Sequence, residues 1–174
     1  MQQLETILGT KLKDEQKEAV RLILSECELE GVTDKRQIAY VLATAWHECR
    51  LRSIREIRAK KGTPVWSMQE RYWHTGYYGR GFCQLTWKKN YEKFSPIVGV
   101  DLVKEPDLLL KPEIGAKVLV IGMARGKFSG VALKKYFNSE TSNWISARKI
   151  VNGTFQADKV AEVAKKILTI LPIQ

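Results

Sequence analysis

Between Asp34 and Cys49 the chain carries Ile38, Ala39, Val41, Leu42, Ala43, Ala45 and Trp46. On a helix these side chains cover most of the circumference, so the helix must be central and buried. Such an element needs other helices packed around it, and the rest of the chain supplies the pattern for them. Ala19, Val20, Ile23, Leu24 and Cys27 recur at helical spacing, with Gly31 as a stop. The central helix starts near Asp34, with Gln37 three residues on. Ser67-Met68-Gln69-Glu70 reads as a capping box that opens a short helix. Gly76, Gly79 and Gly81 then interrupt regular structure. A helix is expected from Trp87 to about Phe94. Pro106 and Pro112 bracket a turn-rich piece, and Pro112 suits the first residue of a helix running to Ala124. Two more helices are expected over 141–152 and 157–170. No strand alternation is visible, although a short hairpin between 57 and 86 is compatible with the pattern. The expected fold is all-α with a minor β hairpin, in one domain spanning 1–174.

Hydrophobic residues make up 44% and charged residues 28%, fractions that suit a packed core rather than a disordered chain. Lys and Arg total 29 against 19 acidic residues, a net charge of +10 that draws the chain to polyanions. Nucleic acid, anionic lipid and the acidic bacterial wall all qualify. The basic residues are scattered and form no recognition-helix pattern, which argues against nucleic acid. Cys27, Cys49 and Cys83 are odd in number and irregular in spacing, so a disulfide framework is not expected. No apolar run approaches the roughly 20 residues that cross a bilayer, and the first residues lack the basic-then-apolar pattern of a secretory signal.

Three stretches bear chemistry. In the first, His47-Glu48 ends the nearly all-apolar helix. A carboxyl held there loses hydration, which favours the protonated form that a general acid requires. A capped helix end with Glu48 in solvent, or paired to Arg50 or Arg52, fits the same residues equally well. The zinc-protease pattern HExxH is not met, because Leu51 stands where the second histidine would be. No metal or cofactor is expected.

Glu56 follows eight residues later, with Arg52, Arg55 and Arg58 close in sequence. On one straight helix the two carboxyls would be about 12 Å apart along the axis. A turn after Cys49 brings them nearer to the roughly 6.5–9.5 Å of an inverting glycosidase. The neighbouring arginines favour an ionised Glu56, as a general base requires; taken alone, Arg55-Glu56-Ile57-Arg58 reads as a solvated charge run. The third stretch is Tyr77-Tyr78-Gly79-Arg80-Gly81, followed by Gln84-Leu85-Thr86-Trp87 and Asn90-Tyr91. Glycines that admit close approach, neutral amides and hydroxyls, and flat aromatic faces form the mixture that sugars need. No Gly-Lys-Ser/Thr follows, so it is not a phosphate loop.

Taken with Gly99-Val100-Asp101-Leu102-Val103, Pro106-Asp107-Leu108 and Arg148-Lys149-Ile150-Val151-Asn152-Gly153, these stretches resemble family-19 glycoside hydrolases over roughly residues 37–170. The family comprises chitinases and phage endolysins. The resemblance implies a lysozyme-like, two-lobed helical fold with a central cleft, and inverting cleavage of β-1,4 links to N-acetylated sugars. It implies Glu48 as general acid and Glu56 as base, with Glu70 as the rival base. Thr86 then helps to hold the catalytic water, Gln84, Asn90 and Asn152 bind substrate, and His47 and Tyr78 line the cleft. A short chain of this kind resembles the phage or prophage endolysin form. That form implies a lysozyme acting on the glycan strand of peptidoglycan, held in the host cytoplasm until a holin releases it. The alternative is a chitinase acting on N-acetylglucosamine polymer. A cysteine amidase built on Cys49 or Cys83 with His47 or His74 is a further rival. A monomer is expected. The segment from Asp158 to Ile173 sets Val160, Val163, Ile167 and Leu168 on one face against Lys159, Lys165 and Lys166. Such a helix can touch anionic membrane or lipopolysaccharide, but packing of its apolar face on the core is the preferred reading.

Overall fold

A computed structural model describes residues 1–173. Among these, seven α-helices carry the fold: α1 (Gln2–Leu8), α2 (Asp14–Leu29), α3 (Lys35–Cys49), α4 (Pro64–Gln69), α5 (Lys88–Val98), α6 (Pro112–Ala124) and α7 (Ala157–Leu168). Two short strands, β1 (Ile54–Arg55) and β2 (Arg80–Gly81), pair antiparallel with Ile54 opposite Gly81. This small sheet lies near the expected hairpin, although β1 begins before residue 57.

The central helix is as its sequence demands. Residues 39–45 of α3 are all buried, and Asp34 caps its start by accepting from the Arg36 N–H at 2.9 Å. Gln37 does not complete the cap. Its side chain instead donates to the Phe137 carbonyl at 2.8 Å, tying α3 to the chain a hundred residues on. The other face of α3 is taken by α7, while α2 packs on α6. Val160, Ala161, Ala164 and Ile167 of α7 are buried in that contact. The apolar face of α7 is therefore occupied by the core and is not free to meet a membrane, as the amphipathic pattern also allowed.

Two hydrophobic cores result. The larger joins α1, α2, α3, α6 and α7. The smaller gathers Leu85, Tyr91, Phe94, Val98, Leu102, Leu109, Ile114 and Val118. α6 serves both, which is why nine of its thirteen residues are buried. The molecule is thus two-lobed, with the smaller lobe built from α5, the 3-10 turn Pro106–Leu110 and one side of α6. No described helix is long and apolar enough to cross a membrane.

Three local expectations need correction. α4 opens at Pro64, capped by Thr63 accepting from the Trp66 N–H, so Ser67 lies within the helix rather than at its cap. The segment 141–152 holds only a 3-10 turn, Ser146–Ile150, because Ser142 bridges back to Phe137 and Arg148 turns inward. α5 runs on to Val98 with Pro96 inside it.

Candidate active site

α3 delivers Glu48 from its last turn. Arg50 and Leu51 then take left-handed backbone angles (φ 56° and 57°), and the chain reverses into β1. A turn therefore follows Cys49, where one was expected. The β1–β2 pairing is extended by the Glu56 N–H donating to the Gly79 carbonyl at 2.7 Å, which sets Glu56 beside the glycine-rich segment.

Glu48 lies in a groove of about 360 Å³ between the lobes. Gln84, Thr86, Trp87, Asn90, Phe128 and Asn152 line it. Five of the residues singled out in the sequence, Glu48, Gln84, Thr86, Asn90 and Asn152, therefore share one cavity. Its polar groups are held by their own hydrogen bonds. The Gln84 amide nitrogen donates to the Ile54 and Gly81 carbonyls, both at 3.0 Å. The Thr86 hydroxyl donates to the Gln84 carbonyl at 2.9 Å, and the Asn90 amide to the Thr86 carbonyl at 2.7 Å. With both Gln84 donors and the Thr86 hydroxyl hydrogen committed, these side chains offer oxygen acceptors, and Asn90 keeps one N–H and its oxygen for sugar hydroxyls and acetamido groups. Gln84 (φ 52°) and Trp87 (φ 74°) both hold positive φ, a strain that collects at ligand-binding sites.

Glu48 does not sit in a purely apolar end, nor is it paired to Arg50 or Arg52. Arg148 Nη2 lies 2.5 Å from its Oε1 in an ion pair whose arginine side chain is 1% exposed. The contact is close without being an aligned hydrogen bond, and Arg148 Nη1 has no protein partner. The Arg148 Nε donates to the Phe155 carbonyl at 3.1 Å.

Glu56 is fixed by three donors: Gln69 Nε2 at 2.9 Å and the Tyr72 hydroxyl at 2.7 Å on Oε1, and the Gly79 N–H at 2.8 Å on Oε2. Burial, and then the bond to Glu56, push the Tyr72 phenol well above its ordinary value, so it remains a donor. The three nearby arginines are turned elsewhere: Arg52 to Glu15, Arg55 to Asp107 and Arg58 to Glu70. Neutral donors, not the sequence-adjacent cations, hold Glu56. Glu70 is 48% exposed and paired to Arg58, and its neighbour Gln69 is the residue that reaches Glu56.

Glu56 and the groove meet at Gly79. A Cβ there would come within 2.9 Å of Gln84 Oε1 and 3.1 Å of Glu56 Oε2, so glycine lets the two oxygens converge. Tyr72, which holds Glu56, also packs edge-on against Trp87 of the groove at 5.2 Å. Arg80 locks this segment from beneath. It is 4% exposed, donates to Asp107, Gly76, Tyr78 and Tyr91, and stacks under the Tyr78 ring.

Two expected cleft residues lie elsewhere. His47 lines a separate pocket with Trp46 and Lys159, because neighbours on a helix project about 100° apart. Tyr78 stacks on Trp73 at 4.4 Å rather than lining the groove. Sequence reasoning missed Gln69, Tyr72 and the pairing role of Arg148. Tyr72 and Gln69 gave no usable signal, since their approach to Glu56 depends on the fold of residues 57–79. The cysteine rival loses support from geometry. Burial pushes the Cys49 thiol up to about 12, and its Sγ faces the Ala45 and Phe82 carbonyls rather than a histidine.

A carboxyl in an interlobe groove, amides and an indole on its walls, and a second carboxylate held beside them are the groups that suit a carbohydrate ligand. Comparison with known proteins agrees. Residues 43–120, under half of the chain, match the family model of class I chitinases, glycoside hydrolase family 19, so this stretch is similar to that family. Over 85 residues, 47% of this chain, it is 33% identical to an endochitinase of Arabidopsis thaliana, a match spanning 29% of that protein's length. The crystal structure of a chitinase C mutant shares the fold, with a TM-score of 0.60 over 99% of this chain and 91% of that one at 18% identity.

Proposed function

We propose that the chain hydrolyses β-1,4 bonds between N-acetylated sugars in bacterial peptidoglycan, as a lysozyme of the endolysin type. The supporting observation is the assembly of Glu48, Gln84, Thr86, Asn90 and Asn152 in one groove with Glu56 beside Gln84. Glu48 gives its proton to the glycosidic oxygen as the bond to the anomeric carbon breaks. Glu56 accepts a proton from a water whose oxygen attacks that carbon from the opposite face, with Thr86 helping to hold the water. Gln84, Asn90 and Asn152 take the sugar's hydroxyl and acetamido groups, and Trp87 supplies a flat face. The net charge of +10 favours the anionic wall over neutral chitin. This reading takes the chain to act after holin-type release from a phage-infected host.

The alternative, a chitinase, draws on the names of both relatives. Mass spectrometry of digests separates the readings. Release of muramic-acid-containing fragments with new reducing ends supports the first. Products from chitin oligomers alone would replace it with the second, and free peptides would remove both.

A further inference from the structure

His47, one residue before Glu48, opens into a second pocket of about 440 Å³ between α3 and α7. Trp46 and Arg50 line it from α3, Gln156 and Lys159 from α7. The Arg50 guanidinium stands over the Trp46 ring at 4.8 Å. Among the described residues neither Arg50 nor Lys159 has a carboxylate within ion-pair distance. The one acid on the pocket wall, Glu162, is engaged by Lys166 at 2.6 Å. The pocket thus holds uncompensated positive charge over an aromatic floor.

One short segment of chain runs from the groove to this pocket. Val151 and Asn152 line the groove, and Gln156, four residues on, lines the pocket. Between them in sequence Phe155 is 68% exposed, and its carbonyl accepts from Arg148, the partner of Glu48. A ligand seated against Asn152 and following this segment would pass the exposed Phe155 ring toward two free cations. Chitin has no group to place there. A peptidoglycan strand does, because every second sugar bears a short peptide with aliphatic side chains and free carboxylates.

We propose that the pocket formed by Trp46, His47, Arg50, Gln156 and Lys159 binds a carboxylate of the glycan's peptide branch and so selects peptidoglycan over chitin. The proposal rests on the glycosidase reading and adds the specificity determinant to it. His47 agrees with the charge balance. Burial first, then Arg148, Arg50 and Lys159, hold its imidazole below the ordinary value, and only Glu48 works the other way. Glu162 also faces this pocket from α7, already held by Lys166. A bound carboxylate would offset the cations, so His47 should titrate at higher pH when the pocket is filled.

The test compares intact peptidoglycan with glycan strands stripped of peptides by an amidase. Lys159→Gln and Arg50→Gln, singly and together, should lower kcat/KM on intact polymer, by roughly tenfold for the pair, and leave the stripped strands unchanged. Lys159 is exposed, so its single variant keeps the test sound if Arg50→Gln fails to fold. In parallel, a soluble disaccharide-peptide should raise the His47 titration midpoint seen by NMR, and less so in Lys159→Gln. Unchanged kcat/KM on intact polymer, or an equal loss on both polymers, overturns the pocket while leaving the glycosidase reading intact. Wild-type protein that cuts chitin oligomers and neither wall polymer removes the peptidoglycan reading as well.

Discussion

At the scale of single residues, Glu48 and Glu56 are held in different ways, and the difference shapes what substitution should do. Glu48 faces one buried arginine, whereas Glu56 is bound by three neutral donors. Glu48→Gln keeps size and shape. It should fold normally and lose activity by about 10²–10⁴-fold, read as release of reducing ends from peptidoglycan. Glu56→Gln should be similarly impaired, while Glu70→Gln, an exposed residue paired with Arg58, should stay near the native rate. The reverse result would move the base to Glu70. Tyr72→Phe removes one donor from Glu56 but keeps the ring against Trp87. It should lower kcat more than it raises KM and alter the pH–rate profile, which a loss of packing alone would not do. Glu48, Gln84 and Thr86, singled out in the chain because motif and chemistry coincide there, do meet in one groove. His47 and Tyr78 share those motifs yet point away from the groove, since motif membership does not fix side-chain direction.

At the scale of elements, two glycines allow close approach that any side chain would block. Gly79→Ala would drive a methyl against Gln84 and Glu56, so it should cut activity severely with little change in Tm. Gly122 sits in the last turn of α6, where a Cβ would fall 2.2 Å from the ring of Phe128, a groove residue. Gly122→Ala should therefore cost stability, about 1–3 kcal/mol as an overpacked core, seen as a lowered Tm. The helices were legible wherever apolar periodicity was long, as in α2, α3 and α7. Residues 141–152 were not, because an inward arginine and a bridge to Phe137 replace the periodic pattern there. α1 escaped notice because seven residues with one buried position, Leu4, carry too little periodicity.

For the whole molecule, the helical architecture followed from one buried helix and its neighbours and the two lobes from the family resemblance, but the contents of the cleft followed from neither. Arg148 and Asn152 reach it only through the docking of the C-terminal third. Titration also acts at this scale. The folded state holds His47 below its ordinary value of 6.5, so in acid the unfolded chain takes up the proton first. Stability should fall as pH drops through 6.5 and further until the folded imidazole titrates. His47→Gln should flatten that part of a plot of Tm against pH.

The pairing of Glu48 with Arg148 spans one hundred positions of the chain. The family match ends at residue 120, well before this partner appears. A fragment stopping near residue 140 would carry every recognisable motif around Glu48 and Glu56, yet it would leave Glu48 without its counter-ion and α3 without its cover. On the proposed reading the groove is completed last, by the segment that brings Arg148 and the helix that covers α3, so a molecule clipped before them should be inert however familiar its sequence looks.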